Sequence, residues 1–428
     1  QSMNFRSIRP APQTITEFPI PDLSCVTLGN GMPAFLHHTH NLGIIKLELF
    51  WTSGSHQTTK PFVSHLASDL LFSGNETISE EEIIKKLDFY GASYSMDSGI
   101  NTSSISLRFQ SKHASEIIPW VISNIDSVNY PEKEIENAIM IKSAGIDRQQ
   151  QTPKYWSNRI TLEKTYGKQN VLSRFGEISD FEQINKLELC DFHRNHLMSG
   201  SSMIFLSGEI SDNVLKTIET HARVNDNNPF AIPAKLSNQY PLESNDLLTY
   251  SLPNSTQVSL QMVKHIVPKS MRERHVLTLL NLVLGGYFGS RLMQELREKQ
   301  GLTYGIGSYF KSAFEDYTWI ISGEMNSGNI DKTMVAIREI FDNLKTTPLD
   351  YEELTKLKQY YSGIFRSGFD GPFSLAGKVQ SLLLKHQEKT YYTTVLNEIW
   401  SIDSKEIKET ANKHLEYDSF VVGLAGNI

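Results

Sequence analysis

Short runs of alternating hydrophobic and polar residues are separated by helical stretches. In "LGIIKLELFW", Leu47, Leu49 and Trp51 oppose Lys46, Glu48 and Phe50, the pattern of a half-buried strand with one aromatic exception. "TSGS" breaks the strand, and "KPFVSHLASDLLF" then spaces its apolar residues as a helix does. The next helix, "SEEEIIKKLDFYG", is predicted to be capped by Ser79, with Glu82 at the capping-box position, and to stop near Gly91. "SISLRFQ" resumes strand alternation, and "PEKEIENAIMIKSAGIDRQQ" reads as a long helix opened by Pro131.

The same order returns further along. "TQVSLQMVKHIV" alternates Val258, Leu260 and Met262, "RERHVLTLLNLVLGG" is amphipathic, and "SRLMQELREKQGLTYGIGSYF" reads as helix, turn and strand. "GLTYGIGS" from Gly301 answers "GASYSMDS" from Gly91 at an offset of 210 residues, which also sets His275 opposite His65. This self-similarity predicts a duplicated α+β unit, each half a sheet packed with helices. Asn, Pro and Ser crowd residues 225–246, where periodicity lapses, so the join is placed near Leu236. The expected division is an extended segment 1–15, a first domain 16–235 and a second domain 236–428.

Composition narrows the function classes. Against 48 Asp and Glu stand 41 Lys and Arg, a net charge of −7, and no long basic tract offsets it, so nucleic acid is not an expected partner. No run is long enough to span a membrane. Cys25 and Cys190 permit one disulfide but no thiolate zinc site. The chain begins with Gln1, which suggests processing or trimming; export to the periplasm is the expectation, with cytoplasmic and organellar locations left open.

The candidate chemistry centres on "HLASDLLFSG", residues 65–74. Residues four apart share a helix face, so His65 and Asp69 point toward one place. Ser68 stands where water activation would need a carboxylate, and a neutral hydroxyl cannot replace that base. The residues alone favour a structural or cleft role for His65 over a metal role. In "HHTH", His38 and His40 share a strand face and His37 does not, an adventitious pair in a polar turn beside an edge strand. His193 and His196 read as helix-end packing. Arg297 and Tyr304 flank a turn, and a guanidinium and a phenol there suit a peptide carbonyl or its oxyanion. Read without further comparison, they are a surface arginine and a partly buried sheet tyrosine.

The whole chain resembles the pitrilysin- or insulinase-like peptidases, specifically the shorter group that includes mitochondrial processing peptidase subunits. Active members carry an inverted zinc motif, His-x-x-Glu-His, and "HLASDLLFSG" is its counterpart here. His65 matches the first ligand, Ser68 replaces the base, Asp69 replaces the second histidine, and Leu71, Phe72 and Gly74 keep the flanking pattern. The remote glutamate ligand corresponds to Ser143, seven residues after Glu136. The resemblance therefore implies a chain without an autonomous zinc site, with no metal or cofactor of its own. It also implies roles for Arg297 and Tyr304, which match a family pair that reaches substrate or transition state.

The same resemblance implies a clamshell half and, more weakly, a substrate-binding edge strand at Gly91, Ala92, Ser93, Tyr94, Ser95, Met96, Asp97, Ser98 and Gly99. The leading expectation is a non-zinc-binding subunit of a heterodimeric zinc metalloendopeptidase acting on extended or unfolded peptides. Its partner would be a homologous subunit with an intact motif and the zinc; the isolated chain could pair with itself. The rival is a catalytically silent peptide-binding or scaffold protein. An atypical weak metal at His65 and Asp69 ranks last.

Overall fold

The strand-forming segments assemble into two sheets of matching order. The computed structural model describes residues 24–28, 31–199, 202–221, 247–313, 316–383 and 390–428. The expected terminal segment 1–15 and the join near Leu236 lie outside the described residues. The first sheet contains β1 (Ser24–Thr27), β2 (Pro33–His38), β3 (Ile44–Trp51), β4 (Ser93–Ser98), β5 (Ser103–Gln110) and β6 (Ser202–Gly208), in the order β1-β2-β6-β3-β5-β4. The second contains β7 (Leu247–Ser251), β8 (Val258–Ile266), β9 (Thr303–Ala313), β10 (Asp316–Met325) and β11 (Val421–Gly426), in the order β7-β11-β8-β10-β9. Each has one parallel pair, β2 with β6 and β7 with β11, and the remaining pairs are antiparallel. Removing β1 leaves the same five-strand pattern twice, so the duplication read from the sequence is an architectural one.

Five first-half helices frame the site. They are α1 (Val63–Asp69), α2 (Glu80–Phe89), α3 (Ala114–Ser127), α4 (Glu132–Gln150) and α5 (Pro153–Tyr166). The reciprocal Ser79 and Glu82 bonds form at the start of α2, and Pro131 directly precedes α4. Two core clusters among the described residues follow the sheets. One joins Ile45, Leu47, Ile105 and Leu206 to α1 and α3; the other joins Leu260, Met262, Trp319 and Leu424 to the second-half helices.

The strand expected to be half-buried at Val258, Leu260 and Met262 is covered on both faces, whereas β5 keeps its alternation. In β8, Val258, Leu260 and Met262 enter the main core, but Ser259 and Gln261 are also buried, beneath α5. Ser157 and Ser259 share a hydroxyl–hydroxyl bond of 2.9 Å, and Gln261 donates to Asn158 at 2.9 Å and Thr161 at 3.1 Å. Thus α5, although it precedes the join, packs on the second sheet. The exchange is mutual, because the helix Pro372–Leu383 packs against β6 and β2 of the first. The polar side of β8 is polar because it meets a helix carrying matching hydroxyl and amide groups, not because it meets water.

A shared turn enters each edge strand. Gly91 and Gly301 both have φ of 60°, and no atom lies within 4 Å of a Cβ built at either. Backbone conformation rather than crowding demands glycine there. Ala92 N–H closes on Leu87 O at 2.9 Å, and Leu302 N–H on Leu296 O at 2.8 Å. Gly91→Ala and Gly301→Ala should each lower unfolding free energy by about 1–2 kcal/mol, the cost of a left-handed L-residue. Urea denaturation of both variants checks this; no loss in either would show that the turn tolerates a side chain.

Candidate functional site

Both helices that carry the motif positions are launched by aromatic residues in left-handed backbone. Phe62, directly before α1, has φ of 68°, and Tyr130, just before α4, has φ of 50°. Such conformations persist where packing over-determines them. Phe62 stacks on Phe181 with ring centres 4.3 Å apart, and Gly176 approaches its ring too closely to accept a Cβ. Tyr130 is fully buried, and its hydroxyl donates to Ala67 O at 2.9 Å, tying the entrance of α4 to α1.

These helices bring His65, Asp69 and the α4 surface together, with chemistry unlike a zinc site. His65 is half-buried, with Ser64 Oγ 3.4 Å from Nδ1. Burial, then the positive charge of Lys142, pushes its pKa down; Asp69 and Asp97 oppose this and Arg174 adds to it, so the imidazole is held neutral. Asp69 Oδ2 accepts from Lys142 Nζ at 2.7 Å. Ser68 is 1% exposed and donates to Ser103 Oγ at 3.4 Å, which donates to Ser53 O at 3.0 Å. Ser143 is a half-buried residue of α4. The positions thus offer one neutral imidazole, one carboxylate engaged by an ammonium, and two hydroxyls. That donor set does not fit a resident zinc, and no cluster of three or more His, Cys, Asp or Glu suited to metal occurs among the described residues.

Beside this cluster lies the predicted edge strand. β4 ends the first sheet and pairs with β5. Gly91 and Ala92 form the turn before it; Ser93, Tyr94, Ser95 and Asp97 are exposed, while Met96, Ser98 and the following Gly99 are half-buried. Tyr94 rests edge-on against Phe72 at 5.1 Å. Arg174 fixes the facing loop by donating to Ser55 O at 2.7 Å, Thr58 O at 2.8 Å and Thr59 O at 3.0 Å.

Arg297 and Tyr304 occupy the equivalent edge of the second sheet. Arg297 lies in a π-helical turn, Met293–Lys299, an irregularity common at functional sites. Its guanidinium sits over Phe288 at 5.3 Å and approaches Glu298 at 3.5 Å. Tyr304 starts β9 and is 83% exposed, with no hydrogen bond to its hydroxyl among the described residues. This corrects the partly buried tyrosine that the residues alone suggested. Neighbouring Leu296 and Leu302 are buried and anchor the turn that presents both side chains.

His38, His40, His193 and His196 have structural partners. His38 Nδ1 accepts from Ile210 N–H at 3.1 Å, which leaves Nε2–H to donate to His40 Nδ1, also at 3.1 Å. His193 Nε2 bonds to Ile125 O at 2.8 Å, and His196 packs on Phe192. Cys25 and Cys190 are free thiols, so the disulfide that two cysteines permit is not formed. Sequence reasoning missed Lys142, Phe62, Tyr130 and Phe288. Only Lys142 carried a signal, as a long cationic side chain adjoining Ser143 in "ENAIMIKS".

Ser68→Glu alone should yield no zinc-dependent peptidase. It should also destabilise the chain by about 3 kcal/mol, because a carboxylate there replaces a buried hydroxyl without a cation to pair it. Denaturation and metal analysis together check this; an unchanged midpoint with bound zinc would contradict it.

Comparison with known proteins agrees with this architecture. Residues 183–361 match the family described as the peptidase M16 inactive domain, a span that excludes His65, Ser68, Asp69 and Ser143. An "uncharacterized zinc protease YmxG" of Bacillus subtilis is 21% identical over 414 residues, covering 94% of this chain and 98% of the relative. A "non-peptidase homolog YmxG" of Helicobacter pylori is 20% identical, covering 92% of each. The solved peptidase M16 inactive domain from Pseudomonas fluorescens superposes with a TM-score of 0.83 at 21% identity, over 95% of this chain and 98% of that one. The chain is thus similar along most of its length to M16 relatives described as zinc protease or non-peptidase homologue, shares the fold of a solved M16 inactive domain, and matches that inactive-domain family over residues 183–361.

Proposed function

We propose that this chain is the non-zinc-binding subunit of a two-chain zinc metalloendopeptidase, lending Arg297 and Tyr304 to a site whose metal and general base belong to a homologous partner. The observation that carries this reading is the exposure of Tyr304. A tyrosine 83% exposed at the start of an edge strand, with no hydroxyl partner in the described fold, contributes little to stability. Arg297 beside it is partly exposed, with its guanidinium over Phe288 and its Nε 3.5 Å from Glu298.

In such a complex the partner's zinc would polarise water and its carboxylate would take the proton. The work of this chain is positional. Arg297 provides a cationic donor to a substrate carbonyl or the developing oxyanion, and Tyr304 a phenolic one. The open edge of β4 suits an extended peptide, added by main-chain hydrogen bonds with broad sequence tolerance.

Mixing the chain with a homologue from the same organism that carries an intact His-x-x-Glu-His motif should give zinc-dependent hydrolysis of extended peptides exceeding that of either chain alone. Arg297→Ala should lower turnover in the pair by about 3 kcal/mol, on the order of a hundredfold, and Tyr304→Phe should isolate the hydroxyl's share. Assembly is measured alongside by sedimentation. Normal assembly with unchanged hydrolysis in both variants would overturn complementation and favour a peptide-binding scaffold.

A further inference from the structure

Lys142 has no place in the complementation reading, yet it sits among the motif positions. We infer that Lys142 is a built-in cation that closes this side-chain cluster to divalent metal, its ammonium taking up Asp69, the one anionic side chain among His65, Ser68, Asp69 and Ser143. The contact is a 2.7 Å ion pair between side chains 29% and 40% exposed. Lys142 directly precedes Ser143 on α4, so it reaches Asp69 from the same helix that would carry a remote ligand. Tyr130 ties the entrance of the helix to α1, and Ile135 of α4 is buried in the first-half core.

An ammonium carries three donors and no lone pair, so it cannot itself join a coordination sphere. A metal using Asp69 would have to displace Lys142 and then sit beside its positive charge. Arg174 adds to the positive field at His65. An ion pair this exposed contributes little to stability, so neutralising Lys142 should leave the fold intact and alter metal binding selectively.

The test supplies the missing third ligand with and without the lysine. Ser143→Glu, in the whole 428-residue chain, would place a carboxylate on α4 one residue from Lys142, the side chain that reaches Asp69. It should bind zinc weakly, whereas Ser143→Glu with Lys142→Met should bind one zinc per chain about 10- to 100-fold more tightly, the range typical of altered groups around a metal's ligands. Titration with zinc alone reads the affinity, metal analysis after desalting reads the stoichiometry, and adding His65→Ala should abolish the gain. Thermal melts without metal verify folding, and Lys142→Gln provides the same neutralisation should the methionine variant not fold. Equal affinity with and without the lysine, or no binding in either, would overturn the inference. No partner chain or hydrolysis enters the measurement, so its failure is distinguishable from failure of the complementation reading.

Discussion

The structure depends on how the second face of each sheet is covered. A sheet buried on one face leaves a polar row for water; here that row meets a helix from the other half. α5 lies on β8 and β11, and Gly423 of β11 has Thr161 where a Cβ would stand, so glycine permits the close approach. Ser259 and Gln261 lose water beneath α5 and recover hydrogen bonds from Ser157, Asn158 and Thr161. An unpaired buried polar group costs about 1–3 kcal/mol, so this matching is a condition of the packing. Trp156 stacking on Tyr250 at 3.8 Å and Tyr166 bonding to Thr318 at 2.6 Å extend it along the helix. A cut near Leu236 would separate the sheets in sequence while leaving each without its covering helix.

That exchange explains which parts of the fold were legible. Strand alternation, the Ser79 capping box and the glycine turns at 91 and 301 are local, and the sequence displays them directly. The partner of a polar strand face is not local. Ser259 and Gln261 look solvent-facing because helix residues about a hundred positions earlier satisfy them. Likewise, Glu48 reads as the wet side of β3 yet is 8% exposed, with Lys46 Nζ donating to it at 3.0 Å. Alternation reported side-chain chemistry correctly, but it could not report what would cover the side chain.

At the candidate site the division runs the same way. The departures from the inverted zinc motif that the resemblance implies were visible as residue identities at Ser68, Asp69 and Ser143. What had replaced them was not, since a hydroxyl relay to Ser103 and an ion pair to Lys142 join segments 35 and 73 residues apart. Backbone strain at Phe62 and Tyr130 was equally silent, because neither residue type announces a positive φ.

The two halves therefore differ in how their site residues are employed. Asp69 is engaged by Lys142, Ser68 is closed inside the fold, and burial favours the neutral form of His65, so these first-half side chains serve packing and charge pairing. In the second half the corresponding edge leaves Tyr304 facing solvent and steadies Arg297 on an aromatic ring that is itself 59% exposed. An exposed phenol and a weakly paired guanidinium gain little from folding, whereas both gain from meeting a polar group on another molecule. The physical asymmetry between a first half whose candidate polar groups are engaged within the fold and a second half that exposes a phenol and part of a guanidinium is what supports the proposed reading, a site completed by a second chain.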